Sequence, residues 1–566
     1  MNLGSGTYFD YIIIGAGSAG CVLANRLTDN SKDTVLVLEA GGRDDNWLIH
    51  MPYAVGKIWK NPKFNWSYNS EPEPNLGNRV LFHPRGKVLG GSSSINMTAY
   101  VRGNSGDYDR WGQTGLIDWS YDKVLPYFKK SENYLAEESS FHGTTGPMKT
   151  TISGVEDPVF EAYLASGEAL GYRHQPDFNG ADQEGLSKMQ VNSAEGKRFS
   201  AAVSFLHPAI SRDNLEVSTR SLVKRLLFDG TKVIGIEYVK SGNIKKVFAR
   251  KEVILSAGTY NSAKILLLSG IGPEDELRKL GIDIIASRKN VGKNLQDHPS
   301  FNIEYKRISS SQFYQNLRLD RLAFNFIRAL LFRSGPASHA LAFGTGFVRS
   351  TPDKSIPDIQ LFLKNFSVQD KEWFPMIRSP GPNGLGIMAC HLRPESRGSV
   401  SLGSAKYQDP PKIINNFLNT ENDRTTLRRA FHIVRQIFEQ KPFSEHIGME
   451  LTPGTNVKSD DEIDKFIRET LITVYHPIGS CRMGIDDEAV VDPELRVRGV
   501  QGLRIVDASV MPDLIGGNTN ACVLMIAEKA ADIIKGHKNP ANPYPEQDWD
   551  KRQGWEEFVK QKNKVK

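Results

Sequence analysis

The architecture the sequence predicts is an α/β domain interrupted by a second, α+β domain built on an antiparallel sheet. Three observations predict it. Two short apolar runs near the start flank a glycine loop and a stretch of helical spacing. A block from Leu215 to Ala257 alternates short apolar runs with turns such as Asp229-Gly230. Between about 310 and 470 the texture changes to strand-like runs punctuated by proline and glycine, as in Ser379-Pro380-Gly381-Pro382.

Each element has its own reason. Tyr11-Ile12-Ile13-Ile14 is a β-branched run that reads as a fully buried strand. Cys21 to Leu27 follows at helical spacing, and Thr34-Val35-Leu36-Val37-Leu38 is a second apolar run, which completes a βαβ unit of about 30 residues. The strands of 215–257 return the chain to that same domain. In the middle, Ile359-Gln360-Leu361-Phe362-Leu363 and Ser399-Val400-Ser401-Leu402 read as strands of the inserted domain. Ala508 to Ile534 reads as a loop and then a helix, with Val523, Ile526, Ala527, Ala530 and Ile534 on one side. The first domain is expected over 1–155, 196–309 and 470–536, the inserted domain over 156–195 and 310–469, and a surface extension over 537–566.

Bulk properties exclude several classes of function. The 566 residues exceed one simple core, so two large domains are expected. A net charge of +6 over this length gives no footprint for nucleic acid. The four cysteines show no CxxC spacing, so neither a disulfide framework nor a metal site is expected, and a reducing compartment fits. No secretory signal opens the chain, and no run of about 18 apolar residues would span a membrane. A cytoplasmic location is expected.

Chemistry enters with the glycines. Gly15, Gly17 and Gly20 form a GxGxxG loop between strand and helix. Gly15 permits the tight turn, Gly17 lets the backbone approach a pyrophosphate, and Gly20 lets the helix pack close to the strand. The helix N-terminus, with Ser18 and Ala19, then offers free N–H groups to phosphate. Glu39, 19 residues after Gly20, would accept from a ribose hydroxyl, with Ala40 beside it. This is a Rossmann-like dinucleotide site, and the loop alone does not separate FAD from NAD.

Two further segments do. Pro84-Arg85-Gly86-Lys87-Val88-Leu89-Gly90-Gly91-Ser92-Ser93-Ser94-Ile95-Asn96 resembles the first signature of the glucose-methanol-choline (GMC) flavoenzyme family. Ser256-Ala257-Gly258 through Leu268-Ser269-Gly270-Ile271-Gly272 resembles the second, with Ala263 where proline or serine is usual. Val291 to His298, Tyr475 to Gly484 and Val506 to Asn520 are similar to further family motifs, and the likeness runs from about Phe9 to Ile534. It implies FAD. Ile95 stands where some relatives carry a tethering histidine, so the flavin is expected to be non-covalent. The glycine-serine run leaves backbone N–H groups uncovered, a cradle for phosphate and flavin edge. Arg85, Gly90, Gly91, Ser92, Asn96 and Met97 are assigned to cofactor binding, with Arg85 and Lys87 adding phosphate-compatible charge. The resemblance adds Val223 at the adenine, Asp507 and Ala508 along the pyrophosphate and ribityl side, and Thr519 and Asn520 at the flavin ring.

Alcohol oxidation needs a base for the hydroxyl proton as hydride leaves the carbinol carbon. A histidine suits the first requirement, and an amide N–H can stabilise the developing alkoxide. The resemblance makes His476 the base and Asn518 its partner, a pair typical of the choline-dehydrogenase-like branch. His50, His83, His207, His298 and His391 are read as structural. The likeness puts Phe343 where choline-oxidising relatives carry a glutamate, which favours a primary, apolar alcohol. Choline dehydrogenation and oxygen-using alcohol oxidation are the alternatives. A light-driven fatty-acid decarboxylase of the same family suits the His/Asn pair less well. The acceptor is expected to be a quinone or another carrier, with O2 as the alternative. Phe313 to Arg333 interleaves leucines and phenylalanines with arginines, and is read as a helix over the active-site mouth or a surface for peripheral contact with the inner membrane.

Overall fold

The structure is a computed structural model and describes residues 7–29, 32–137, 139–341 and 343–537. The extension from 538 onward therefore lies outside the described residues. Two seven-stranded sheets organise the chain. In the first, Tyr8–Ile14 lies between Val35–Leu38 and Asn243–Leu255 and pairs with both in parallel, Ile12 facing Leu36 and Val253. Leu215–Ser218 extends the sheet beyond Val35–Leu38. Ser221–Asp229, Lys232–Lys240 and Asn243–Leu255 form an antiparallel meander on the other side. The late strand Leu503–Ile505 returns to pair in parallel with Asn243–Leu255. Ile12, Ile13, Val35 and Val37 are buried completely, which is why these strands read as continuous apolar runs.

The second sheet is antiparallel around Pro299–Arg307, Gly384–His391, Ile359–Lys364 and Gly344–Val348, with Gly185–Lys188 and Ile447–Thr452 at its edges. Alternation sets its two faces. Phe301, Ile303, Leu361, Leu363, Ile387 and Ala389 pack beneath Leu427, Phe431, Val434 and Phe438 of helix Glu421–Glu439. Asn302, Phe362, Lys364 and Met388 face the other way, into a cavity between the two sheets. Strand Pro299–Arg307 thus contributes to the second sheet from within 196–309, and Ile472–Thr473 pairs with it from within 470–536. Ser399–Ser401 is a strand, but of a separate two-stranded ribbon with Lys412–Ile414.

Segments far apart in sequence meet in the first domain. Helix Ser18–Leu27 packs on helix Asn520–Ile534, where Arg26 Nη2 reaches Glu528 Oε1 at 2.7 Å. That last helix is buried from Ala521 to Ala531 rather than on one side, because it lies inside the domain. Phe313–Arg333 divides into helices Gln312–Asn316 and Leu319–Phe332.

Candidate active site

A cavity of about 550 Å³ runs from Glu39 and Val223, past the glycine loop, to His476 and Asn518. Its nucleotide end is built from close backbone approaches. A Cβ on Gly20 would stand 1.9 Å from Gly15 O, and one on Gly91, whose φ is +53°, 2.7 Å from Gly17 Cα. Helix Ser18–Leu27 has no side-chain cap, so its first N–H groups face the cavity unpaired by a side chain. Ser18 Oγ donates to Asn520 Oδ1 at 2.7 Å, which joins two motifs 502 residues apart. Asn520 Nδ2 and Ser256 Oγ are buried without a partner. Glu39 accepts from the N–H groups of Ala16 and Gly41, and burial raises its pKa to about 7. An uncapped helix, a cradle that any Cβ would fill and orphaned polar atoms fit a bound dinucleotide.

Most of the residues assigned from sequence meet here. Gly15, Gly17, Ser18, Ala19, Ala40, Gly91, Ser92, Asn96, Met97, Val223, Ala508 and Thr519 line the cavity. Gly90 supports it instead: its N–H donates to Ala16 O at 2.7 Å. Asp507 lines it but spends its carboxylate on Gly258 N, Ser509 N and Ser262 Oγ, holding those turns in place. Arg85 also lines the cavity, but not by way of the glycine loop. Its guanidinium lies on the carbonyls of Pro84 and Tyr475, at the catalytic end rather than on the glycine loop. Lys87 sits over the Trp66 ring, 4.6 Å from its centroid.

At the other end, three side chains form a chain of hydrogen bonds. His298 Nε2 lies 3.1 Å from two carbonyls, Leu392 O and Ile515 O, which can only accept. The hydrogen of neutral His298 is therefore on Nε2, and its Nδ1 is a bare acceptor. His476 Nδ1, 3.0 Å away, must donate to it. That leaves His476 Nε2 unprotonated, and Asn518 Nδ2 donates to it at 3.1 Å. Gln360 Nε2 approaches Asn518 Oδ1 at 3.5 Å. A tautomer fixed in this way is a base with its lone pair aimed into the cavity, beside an amide N–H.

The surroundings keep this base free of a proton. Burial, then His298 and Arg85, hold His476 well below the ordinary imidazole range. Burial lowers His298 to about 3. Asp297, raised to about 6 by burial, accepts from the backbone N–H groups of His298 and His476 and from Thr473 Oγ1, and so fixes both histidines by their main chain. Tyr475 adopts φ +68°, a region uncommon for an aromatic residue, held by Arg85 on its carbonyl and by Trp59 edge-on to its ring at 5.3 Å. His298, Gln360 and Trp59 are parts of the site that sequence reading missed. His298, read as structural, touches the base directly.

Phe343 has an edge on the cavity but lies mostly in the second core, its ring 5.9 Å from Phe160. Leu341, Phe362, Phe366, Val368 and Met388 complete the apolar wall. Lys364 is the charged side chain of this half, bonded to Asn302 Oδ1 at 2.6 Å and Glu304 Oε1 at 3.0 Å.

A parallel-sheet dinucleotide site that faces a base and an amide across one cavity defines a flavin-dependent oxidoreductase. The chain belongs to the GMC oxidoreductase family: models of that description match residues 9–300 and 394–527. It is 42% identical over 537 residues to choline dehydrogenase, mitochondrial, of Homo sapiens, spanning 93% of this chain and 90% of that protein. It is 40% identical to an oxygen-dependent choline dehydrogenase of Sinorhizobium fredii, spanning 95% of this chain and 98% of that one. Among solved structures, pyridoxine 4-oxidase from Mesorbium loti superposes with a TM-score of 0.84 at 30% identity, covering 94% of this chain and all of that one. A formate oxidase gives 0.86 at 27%, covering 94% and 98%. The chain is thus an FAD-dependent enzyme of the kind that acts on CH–OH donors.

Proposed function

We propose that the chain oxidises a primary alcohol to its aldehyde, with His476 as base and Asn518 as alkoxide donor. The observation that carries this is the fixed tautomer of His476, whose bare Nε2 lies 3.1 Å from Asn518 Nδ2. A hydroxyl between them donates its proton to Nε2 and accepts from the amide. When bound, FAD supplies the two-electron acceptor that takes the carbinol hydride. Gly17, Gly91, Asn520 and the N-terminus of helix Ser18–Leu27 would hold it. Ile95 is buried among Ile49, Ile58 and Val88 and offers no atom for a covalent link.

Choline is the first candidate substrate. The reason is the identity of about 40% to proteins named choline dehydrogenase over more than nine-tenths of the chain. This puts the reading held as an alternative from sequence ahead of the apolar alcohol. The apolar alcohol stands second, on the composition of the pocket. Phe362, Met388 and Leu341 form the walls, Lys364 is paired with Glu304, and the cavity's carboxylates, Glu39 and Asp507, are tied to backbone N–H groups on the cofactor side. The acceptor is taken to be a quinone or another carrier, and the site of action the cytoplasm, with peripheral contact to the inner membrane.

Anaerobic bleaching of the bound flavin with choline, straight-chain and benzylic alcohols tests these readings. Rapid bleaching by choline supports the first and bleaching by straight-chain alcohols alone supports the second. A flavin that stays oxidised with every alcohol would overturn both. Admitting air then separates a dehydrogenase from an oxidase.

A further inference from the structure

The structure assigns helix Leu319–Phe332 and the neighbouring 368–377 segment to the surface of an anionic lipid bilayer, we propose, with the mouth of the catalytic cavity against it. The inference rests on the reading that the chain makes peripheral membrane contact and names the surface that makes it. The helix is apolar on both sides. On its inner side Leu322 is buried, and Phe326 and Ala329 pack towards Tyr53, Met51, Ala54 and Ala337. Its outer stripe, Leu319, Phe324, Ile327, Leu330, Leu331 and Phe332, is exposed, Phe332 to 72%. Val368, Met376 and Ile377 add to it from the adjoining loop, Ile377 at 79% exposure. A surface helix of a globular protein turns polar residues outward, so an outer face of this composition calls for an apolar partner.

Charge selects the lipid. Arg318, Arg321, Arg328 and Arg333 frame the stripe, and Asp320 is paired with Arg318 at 2.6 Å. In the adjoining loop Glu372 is paired with Lys57 and Arg378, while Asp370 accepts from the backbone N–H groups of Ser367, Asn383 and Gly384. A shallow apolar face with a basic rim fits an interface of acyl chains and anionic headgroups. Position gives the contact a use. Val368 both lines the catalytic cavity and is 68% exposed on this patch. Phe366, also in the cavity wall, stacks on Phe313 at 4.8 Å, and Phe313 meets Tyr53 beneath the helix. Val368 thus belongs both to the exposed patch and to the mouth of the cavity. An apolar alcohol or a quinone dissolved in the bilayer can reach the cavity at this point without crossing water.

The test is co-sedimentation of the flavin-loaded enzyme with phosphatidylcholine vesicles, with and without phosphatidylglycerol, for the wild type and for Phe324→Glu/Ile327→Glu/Leu331→Glu. The wild type is expected to pellet with the anionic vesicles and to be released by salt. The triple variant is expected to bind at least about tenfold more weakly, because each carboxylate must be brought to the interface. Its flavin spectrum and its turnover of a short, water-soluble alcohol should be unchanged. If wild type and variant pellet alike, this surface is wrong although membrane contact stands. If the wild type stays in the supernatant, both fail. A wild-type dimer without lipid that the triple variant converts to monomer would make the face a contact between copies and overturn the proposal.

Discussion

His476 and its neighbours show how far one side chain's chemistry is set by others. Two carbonyls fix the hydrogen of His298, and His298 in turn fixes that of His476. His298→Ala should therefore slow flavin reduction by somewhere between tenfold and the roughly 10⁴-fold known when a catalytic histidine is held in the wrong tautomer. Flavin content should be retained, and the acidic limb of the pH profile should move back towards the ordinary imidazole pKa. In the intact enzyme that limb should lie below pH 6.5. The sign follows from the base: it works unprotonated, and a lowered pKa keeps it so to more acidic pH. A limb of kcat/KM at or above pH 6.5, measured with a substrate that does not titrate, would contradict this. His476 and Asn518 can be named as candidates from sequence because each lies in a local motif, and the structure sets them 3.1 Å apart. The sequence concealed His298 and Gln360, whose roles exist only once strands Pro299–Arg307 and Ile359–Lys364 stand beside the last domain segment. The direction of Arg85 is tertiary too: its neighbours in sequence are glycines, and only the folded chain turns its guanidinium to the Tyr475 carbonyl.

At the scale of elements, the cofactor end depends on contacts between segments far apart in sequence. Gly91 touches Gly17, and Ser18 touches Asn520. Gly91→Ala puts a methyl group 2.7 Å from the Gly17 backbone, where no flexible side chain can yield. The variant should fold yet purify with little flavin, read from the ratio of visible to ultraviolet absorbance. Full flavin content would show that the two loops can separate. The glycine loop and its strand were legible from sequence because turn geometry and period-two burial are local rules. The second sheet was legible only in outline, since its strand Pro299–Arg307 follows directly on a motif of the first domain.

For the whole molecule, helices Ser18–Leu27 and Asn520–Ile534 close the dinucleotide domain through Arg26 and a completely buried Glu528. Arg26→Ala leaves that carboxylate with Lys130 and Ser131 Oγ, each at 3.5 Å, and should cost about 3 kcal/mol, seen as a lower urea midpoint of unfolding. An unchanged midpoint would mean that this contact between the two helices contributes little to the domain. Closure matters because it carries Asn518 and Asn520 to the cavity on the same segment, one towards the base and the other beside the glycine loop.

That convergence is tested most directly by single-turnover flavin reduction. Wild type and His476→Ala, both loaded with FAD, are mixed anaerobically with the best alcohol of the panel. The variant is expected to keep its flavin but to lose about 10²- to 10⁴-fold in the rate of bleaching. Equal rates in the two proteins would contradict it.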